Sequence, residues 1–212
     1  MEINIQKLSG HWNEGYALDL HTTSSKPITE LGKKVEIIDG KETEVFHEVI
    51  MGWDTKRPPI AEELFKLKYR SERNRLTAIA NEAAIFLNGQ TDWKIDLIIP
   101  VPPSDTTREF QPVEELAKAI GVIRKLTVDF RTLKKLKSTS QLKDVKDPAT
   151  RREILKDAFG IVSNSLYGKN VLLFDDLYRS GETLNAVCDI IKNKGNAKNI
   201  YVLTITKTRS KK

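Results

Sequence analysis

The chain has 212 residues, of which 39% are hydrophobic and 30% charged, a balance typical of a folded globular protein and not of a disordered or fibrous one. A single cysteine excludes an internal disulfide and a cysteine-based zinc site. The net charge is +6, no run of about 18 apolar residues could span a membrane, and the N-terminus lacks a signal-peptide pattern, so we expect a cytoplasmic protein without a membrane partner.

Residues 1–57 contain all three histidines and two of the three tryptophans, and we interpret them as a smaller N-terminal hood or appendage. Alternating apolar residues on both sides of Asp39-Gly40 predict a β-hairpin. His21 follows an apolar patch, and we assign it a structural hydrogen-bonding role, because a lone histidine is weak evidence for catalysis.

Helices and strands are predicted to alternate after a break at Arg57-Pro58-Pro59. Two amphipathic helices are expected at about 60–69 and 72–88, with their apolar stripe covering one face of a sheet. A buried strand at 95–101, a polar loop at 102–108 and a helix from Pro112 to Ile120 follow, and Gly121 is predicted to end that helix. The next predicted strand covers about 122–130.

A basic segment at 131–156 carries nine basic and three acidic residues. It has no sustained apolar period, which predicts a long loop or a short ribbon, followed by a short helix with Asp147 as its N-cap. This concentration of charge favours an anionic ligand, and a solvated basic face or weak contact with nucleic acid stays open as the alternative.

The stretch from Val171 to Leu184 contains an apolar strand, the acidic pair Asp175-Asp176, and a turn that opens a helix. Backbone N–H groups at a helix N-terminus are suited to binding a phosphate. The recurring order of strand, loop and helix up to a last strand at 200–206 predicts an α/β fold, in which a parallel sheet is flanked by helices. Ligands of such sheets bind at the carboxyl ends of the strands, which is where the acidic pair is expected.

This stretch resembles the ribose-phosphate signature of type I phosphoribosyltransferases, in which an apolar strand and an acidic pair precede a loop. In this chain the loop ends in Ser-Gly-Glu-Thr. The chain is more closely similar to the ComF-like branch of that family. The similarity lies in sequence blocks that follow one another in family order, at 99–102, 108–111, 137–142, 151–159 and 171–184.

The resemblance implies a type I phosphoribosyltransferase-like sheet at 58–212 under the N-terminal hood at 1–57. It also implies phosphoribosyl pyrophosphate and Mg²⁺ as ligands, and transfer of the phosphoribosyl group to an unknown nucleophile with release of pyrophosphate. Asp175 and Asp176 would hold the ribose hydroxyls, directly or through the metal. The other substrate-binding residues would be Arg179, Ser180, Gly181, Glu182 and Thr183 around the 5′-phosphate, Pro103, Ser104 and Asp105 in a pyrophosphate loop, and Arg108 and Lys137.

Two departures separate the chain from the family pattern. ComF-like chains commonly begin with a cysteine-rich metal-binding segment, whereas here no cysteine precedes Cys188. Arg179 and Glu182 stand where the phosphate loop usually has small or hydroxyl residues, and Glu182 would repel a phosphate unless it turns outward. A non-enzymatic accessory or sensor in DNA uptake or processing therefore stays open as an alternative function, and so does a homodimer.

Overall fold

The computed structural model describes residues 1–39, 41–137, 145, 147, 150, 153–155 and 157–209. For Ile38 it describes the backbone alone. The helices are α1 (Pro59–Tyr69), α2 (Leu76–Gly89), α3 (Pro112–Arg124) and α4 (Glu182–Asn193), and short 3-10 turns lie at Arg73–Arg75 and Thr91–Trp93. The strands are β1 (Gln6–Lys7), β2 (Glu14–Leu20), β3 (Ser24–Ile38), β4 (Lys41–Lys56), β5 (Leu97–Pro100), β6 (Thr127–Val128), β7 (Leu133–Lys135), β8 (Phe159–Ile161), β9 (Asn170–Tyr178) and β10 (Asn199–Lys207).

A six-stranded sheet forms the centre of the molecule in the order β1-β2-β10-β9-β5-β6. All of its pairs are parallel except β1 with β2. Alternate residues of β9 enter two separate cores: Leu172 and Phe174 pack with α1, α2 and α3, whereas Val171 and Leu173 pack with α4. The expected α/β architecture, a mostly parallel sheet with helices on both faces, is confirmed.

The predicted end of α3 is wrong, because the helix continues through Gly121 to Arg124 and ends with Lys125 in the left-handed region. A Cβ at Gly121 would lie 2.4 Å from Val128 Cγ2, so this glycine serves the packing of the helix against β6. The strand expected at 122–130 is correspondingly reduced to Thr127–Val128.

Residues before position 57 contribute to the fold in two ways. β1 and β2 are part of the main sheet, with β2 parallel to β10. The predicted hairpin at residues 39–40 is confirmed as the connection of β3 and β4, which form a separate two-stranded ribbon. The division into a hood and a core at residue 57 stays a prediction.

The basic segment is partly a short ribbon, since β7 pairs antiparallel with β8. The Asp147 carboxylate accepts hydrogen bonds from the backbone N–H and hydroxyl of Thr150, as the predicted N-cap would. The rest of the predicted loop, at 138–144, lies outside the described residues, as do Arg151 and Arg152. Among the helices that the structure describes, none has the length and apolar character required to cross a membrane.

Candidate active site

The candidate site lies where the parallel strands β5 and β9 end side by side. Pro100 is in register with Phe174, and the Val101 N–H donates to the Phe174 carbonyl at 2.8 Å. The loop after β5 and the acidic pair of β9 therefore meet at one edge of the sheet. A cavity of about 360 Å³ lies between them, and its lining includes Lys68, Val101, Pro102, Pro103, Ser104, Asp105, Arg108, Gln111, Lys135, Phe159, Asp175, Asp176 and Thr183.

The acidic pair has a cationic partner that the sequence did not reveal. Lys68, in the last turn of α1, lies with its Nζ 2.5 Å from Asp176 Oδ2, and their side chains are only 16% and 11% exposed. Burial opposes the charge on Lys68, but the attraction of Asp176 and a hydrogen bond to it prevail, so the pKa of Lys68 is raised. Lys68 and Asp176 therefore form a charged pair inside the cavity wall.

The pKa of Asp175 is strongly shifted. Burial and the adjacent carboxylate of Asp176 raise the pKa of Asp175 to about 8, despite the backbone N–H of Asp176 that donates to Asp175 Oδ1. The ionised form of Asp175 is therefore disfavoured in the folded protein, while its neighbour Asp176 contacts the Lys68 ammonium. A ligand that brings positive charge or hydroxyl donors would favour the ionised form of Asp175.

His21 lies near Asp176 and several charged groups from other elements of the fold. His21, just after β2, hydrogen-bonds through Nδ1 to the Thr206 hydroxyl at 3.1 Å. Its pKa is lowered by burial and by the positive charges of Arg57, Lys68 and Arg179, against an opposing effect of Asp176. The structural role expected for His21 agrees with this hydrogen bond, and the histidine is neutral beside a cationic group of residues.

The turn before α4 requires a glycine at position 181. Gly181 has a φ of 79°, and a Cβ there would lie 2.7 Å from the Tyr178 hydroxyl, so only glycine fits the turn. Thr183 lines the cavity with the acidic pair, whereas Ser180 and Glu182 line a different cavity of about 910 Å³ beside α4. Glu182 thus lines a different cavity from Asp175 and Asp176.

The loop after β5 is held by its own polar contacts. Asp105 Oδ1 accepts hydrogen bonds from the N–H and hydroxyl of Thr107 at 3.0 and 2.6 Å, and Arg108 Nε lies 3.4 Å from Asp105 Oδ2. The Gln111 amide donates to the carbonyls of Asp105 and Arg108 at 2.8 and 3.1 Å. These contacts fix the loop residues 105–108 at the mouth of the cavity.

Two lysines of the basic segment have different positions. Lys135, on β7, lines the cavity, and burial lowers its pKa. Lys137 forms an exposed ion pair with Asp157, with Nζ and Oδ2 3.2 Å apart, and it is not among the residues that line the cavity. The substrate-binding role expected for Lys137 stays a prediction.

The donor set around the acidic pair fits Mg²⁺ only in combination with a ligand. In the described part of the chain no group of three or more His, Cys, Asp or Glu side chains is arranged to hold a metal ion. Mg²⁺ in proteins is, however, commonly held by one or two carboxylates together with substrate oxygens and water. Asp175 and Asp176 could supply those carboxylates.

Sequence reasoning missed Lys68, and it placed Lys135 in the basic segment that it associated with an anionic ligand. Lys68 lies next to the buried Leu67 in an amphipathic helix, so its local pattern is that of any lysine at the border of an apolar stripe. Only the packing of α1 against the sheet brings it to Asp176.

Comparison with known proteins agrees with this geometry. Residues 72–212, two thirds of the chain, match the family described as phosphoribosyl transferase domain. The chain is also 25% identical over 150 residues to the competence protein ComFC of Bacillus subtilis (strain 168), an alignment that covers 69% of this chain and 59% of that protein. The match therefore spans less than two thirds of the relative's length and supports the ComF-like resemblance. With its parallel sheet and the family match over residues 72–212, the chain belongs to the phosphoribosyltransferase family.

Proposed function

We propose that the protein binds phosphoribosyl pyrophosphate together with Mg²⁺ and transfers the phosphoribosyl group to a nucleophile, releasing pyrophosphate. The observation that carries this proposal is the shared cavity, which is lined by Asp175, Asp176 and Thr183 on one side and by residues 103–105 and Arg108 on the other. The candidate sugar-binding carboxylates and the candidate pyrophosphate loop thus border one space.

The acidic pair would act on the ribose. Displacement of pyrophosphate from the anomeric carbon develops positive charge on the sugar, as in glycoside chemistry, and a nearby carboxylate stabilises that charge. Asp176 would act next to the Lys68 ammonium, and Asp175 would accept hydrogen bonds from ribose hydroxyls once ionised. Lys68 would keep Asp176 in place, because their ion pair joins α1 to β9.

Cations at the other end of the cavity would receive the leaving group. Arg108 and Lys135 both line it and would stabilise the charge that accumulates on pyrophosphate. Bound Mg²⁺ would neutralise further charge on the same oxygens. The 5′-phosphate would bind at the N-terminus of α4, where Thr183 lines the cavity together with the acidic pair.

A second candidate function is a non-enzymatic accessory protein, and the relative named a competence protein favours it. In that role the same cavity would bind phosphoribosyl pyrophosphate without turnover, and basic surface would contact nucleic acid. A homodimer and the cytoplasm remain the predicted assembly and location.

Release of pyrophosphate distinguishes the two functions. The full chain would be incubated with phosphoribosyl pyrophosphate, Mg²⁺ and a panel of nucleobases and amines, and pyrophosphate would be measured by a coupled assay. Acceptor-dependent release that is lost in the Asp175→Asn/Asp176→Asn variant supports the transferase. Ligand binding without release for any acceptor supports the accessory function, and release that survives in the variant contradicts the proposed site.

A further inference from the structure

One cation from α1 lies inside the candidate site. Lys68 lines the cavity together with Asp175, Asp176 and Thr183, and its Nζ lies 2.5 Å from Asp176 Oδ2. The Lys68 side chain is only 16% exposed, so its ammonium group is largely withdrawn from bulk water. A ligand that occupies this cavity would therefore meet a fixed positive charge next to the acidic pair.

The packing of α1 holds Lys68 in this position. Leu64 and Leu67 of the same helix are each 1% exposed and belong to the core that α1 shares with the central sheet. Lys68 lies in the last turn of the helix, where the helix dipole favours a positive charge. The ammonium group is thus kept near Asp176 by the docking of the whole helix as well as by the ion pair.

Two of the four carboxylate oxygens of the acidic pair already have a partner within the chain. Asp176 Oδ2 is paired with Lys68, and Asp175 Oδ1 accepts a hydrogen bond from the backbone N–H of Asp176 at 2.8 Å. A metal ion held by these carboxylates would have to displace the ammonium group or accept its repulsion at short distance. Mg²⁺ gives up its bound water reluctantly and demands near-ideal octahedral geometry, which is a disadvantage in this competition.

We propose that Lys68 is the permanent counter-ion of the acidic pair, which excludes a divalent metal ion from the ligand-free site and lets the sugar-phosphate part of the ligand bind without metal. Mg²⁺ then enters with the pyrophosphate group, whose oxygens supply the negative charge and the ligands that this ion prefers. The statement about the ligand rests on the proposed function, whereas the exclusion of metal from the ligand-free site does not.

Binding of a divalent ion to the ligand-free chain tests the exclusion of metal. Mn²⁺ is a suitable probe, because electron paramagnetic resonance measures the concentration of the free ion. Lys68→Met should bind one Mn²⁺ at least about tenfold more tightly than the native chain, since Asp176 loses its counter-ion. The gain should disappear in Lys68→Met/Asp176→Asn. It should also be absent in Lys66→Met, which removes another lysine from the last turn of α1.

Ribose 5-phosphate tests the sugar-phosphate part of the ligand, because it lacks the pyrophosphate group. Calorimetric titration of the native chain should give affinities in EDTA and in millimolar Mg²⁺ that agree within about threefold. In EDTA, Lys68→Met should bind at least about tenfold more weakly, because the unpaired Asp176 carboxylate repels the phosphate. Mg²⁺ should restore part of that loss, and Lys68→Arg, which keeps the positive charge, should retain binding in EDTA.

The outcomes separate this inference from the proposed function. Equal Mn²⁺ affinities of the native chain and Lys68→Met, or native binding of ribose 5-phosphate that requires Mg²⁺, would overturn the inference and leave the proposed function in place. A native chain that binds neither ribose 5-phosphate nor phosphoribosyl pyrophosphate in either condition would overturn both. Far-ultraviolet circular dichroism verifies that each variant is folded, and the comparison of EDTA with Mg²⁺ on the native chain needs no variant.

Discussion

Lys68 Nζ lies 2.5 Å from Asp176 Oδ2, and this ion pair joins the last turn of α1 to the acidic end of β9. The two side chains are largely withdrawn from solvent, so neither charge is fully compensated by water if the other is removed. The contact links the N-terminal half of the chain to the acidic pair and gives Asp176 a fixed position.

Replacement of Lys68 by methionine should destabilise the protein. The substitution keeps most of the side-chain volume but leaves the Asp176 carboxylate without its cation, so the free energy of unfolding should fall by about 2 kcal/mol in urea denaturation. Lys66→Met is the matched control on the same helix, because Lys66 pairs with Glu62 and Glu63 only at 3.9 and 3.8 Å. Its loss should stay below about 0.5 kcal/mol, and equal losses in the two variants would contradict a special role of Lys68.

Asp175→Asn should stabilise the protein in a pH-dependent way. Because the pKa of Asp175 is raised from 3.8 to about 8 in the folded state, its ionised form is disfavoured by folding, and the cost grows as the pH rises from about 4 to 8. Asparagine removes that cost, so the variant should gain about 1 to 3 kcal/mol at pH 8 and little at pH 4.

The pH dependence of the Asp175→Asn effect is measured by urea unfolding at a series of pH values. Asp157→Asn is the control, since Asp157 is 71% exposed and paired only at the surface. If the gain in the free energy of unfolding did not depend on pH, or had the same size in the control, the pKa of Asp175 would not be raised in the folded protein.

Gly181→Ala should damage the turn that opens α4. Alanine at a φ of 79° is strained, and its Cβ would meet the Tyr178 ring and hydroxyl, so we expect a loss of about 1 to 3 kcal/mol. Gly89→Ala, at the end of α2 where a Cβ meets nothing within 4 Å, should be neutral or slightly stabilising. Thermal unfolding of both variants checks this, and an unaffected Gly181→Ala protein would contradict the turn geometry.

Lys135 and its neighbour Lys134 allow a test of the pyrophosphate end of the cavity. Lys135 lines the cavity, whereas Lys134 Nζ donates to the Phe130 carbonyl at 3.2 Å. Lys135→Gln should weaken binding of inorganic pyrophosphate about tenfold, as expected for the loss of one charged contact, and Lys134→Gln should change it little. If the two substitutions weakened pyrophosphate binding equally, the effect would come from the overall charge of the protein and not from a defined contact between Lys135 and pyrophosphate.

The main features of the site could be predicted from local sequence because local chemistry determines them. Four apolar residues followed by two aspartates specify a buried strand with an acidic end, and a glycine before Glu182 specifies a tight turn into a helix. The β3–β4 hairpin was likewise predictable from alternation around an Asp-Gly pair.

Features that depend on contacts between distant segments could not be predicted in this way. Gly121 has the local pattern of a helix end, but its lack of a side chain accommodates Val128 and the helix continues. Lys68 approaches Asp176 only because α1 packs against the main sheet. Both cases are determined by tertiary packing, which a local pattern does not encode.

Calorimetric titration of the full chain with phosphoribosyl pyrophosphate in the presence of Mg²⁺ tests the central proposal most directly. The native chain should bind with a measurable enthalpy, and Asp175→Asn/Asp176→Asn should bind at least tenfold more weakly. Asp189→Asn, which alters a carboxylate that lines the other cavity beside α4, should bind like the native chain. Failure of the native chain to bind, or equal affinity of the native chain and the double variant, would contradict the assignment of this cavity as the ligand site.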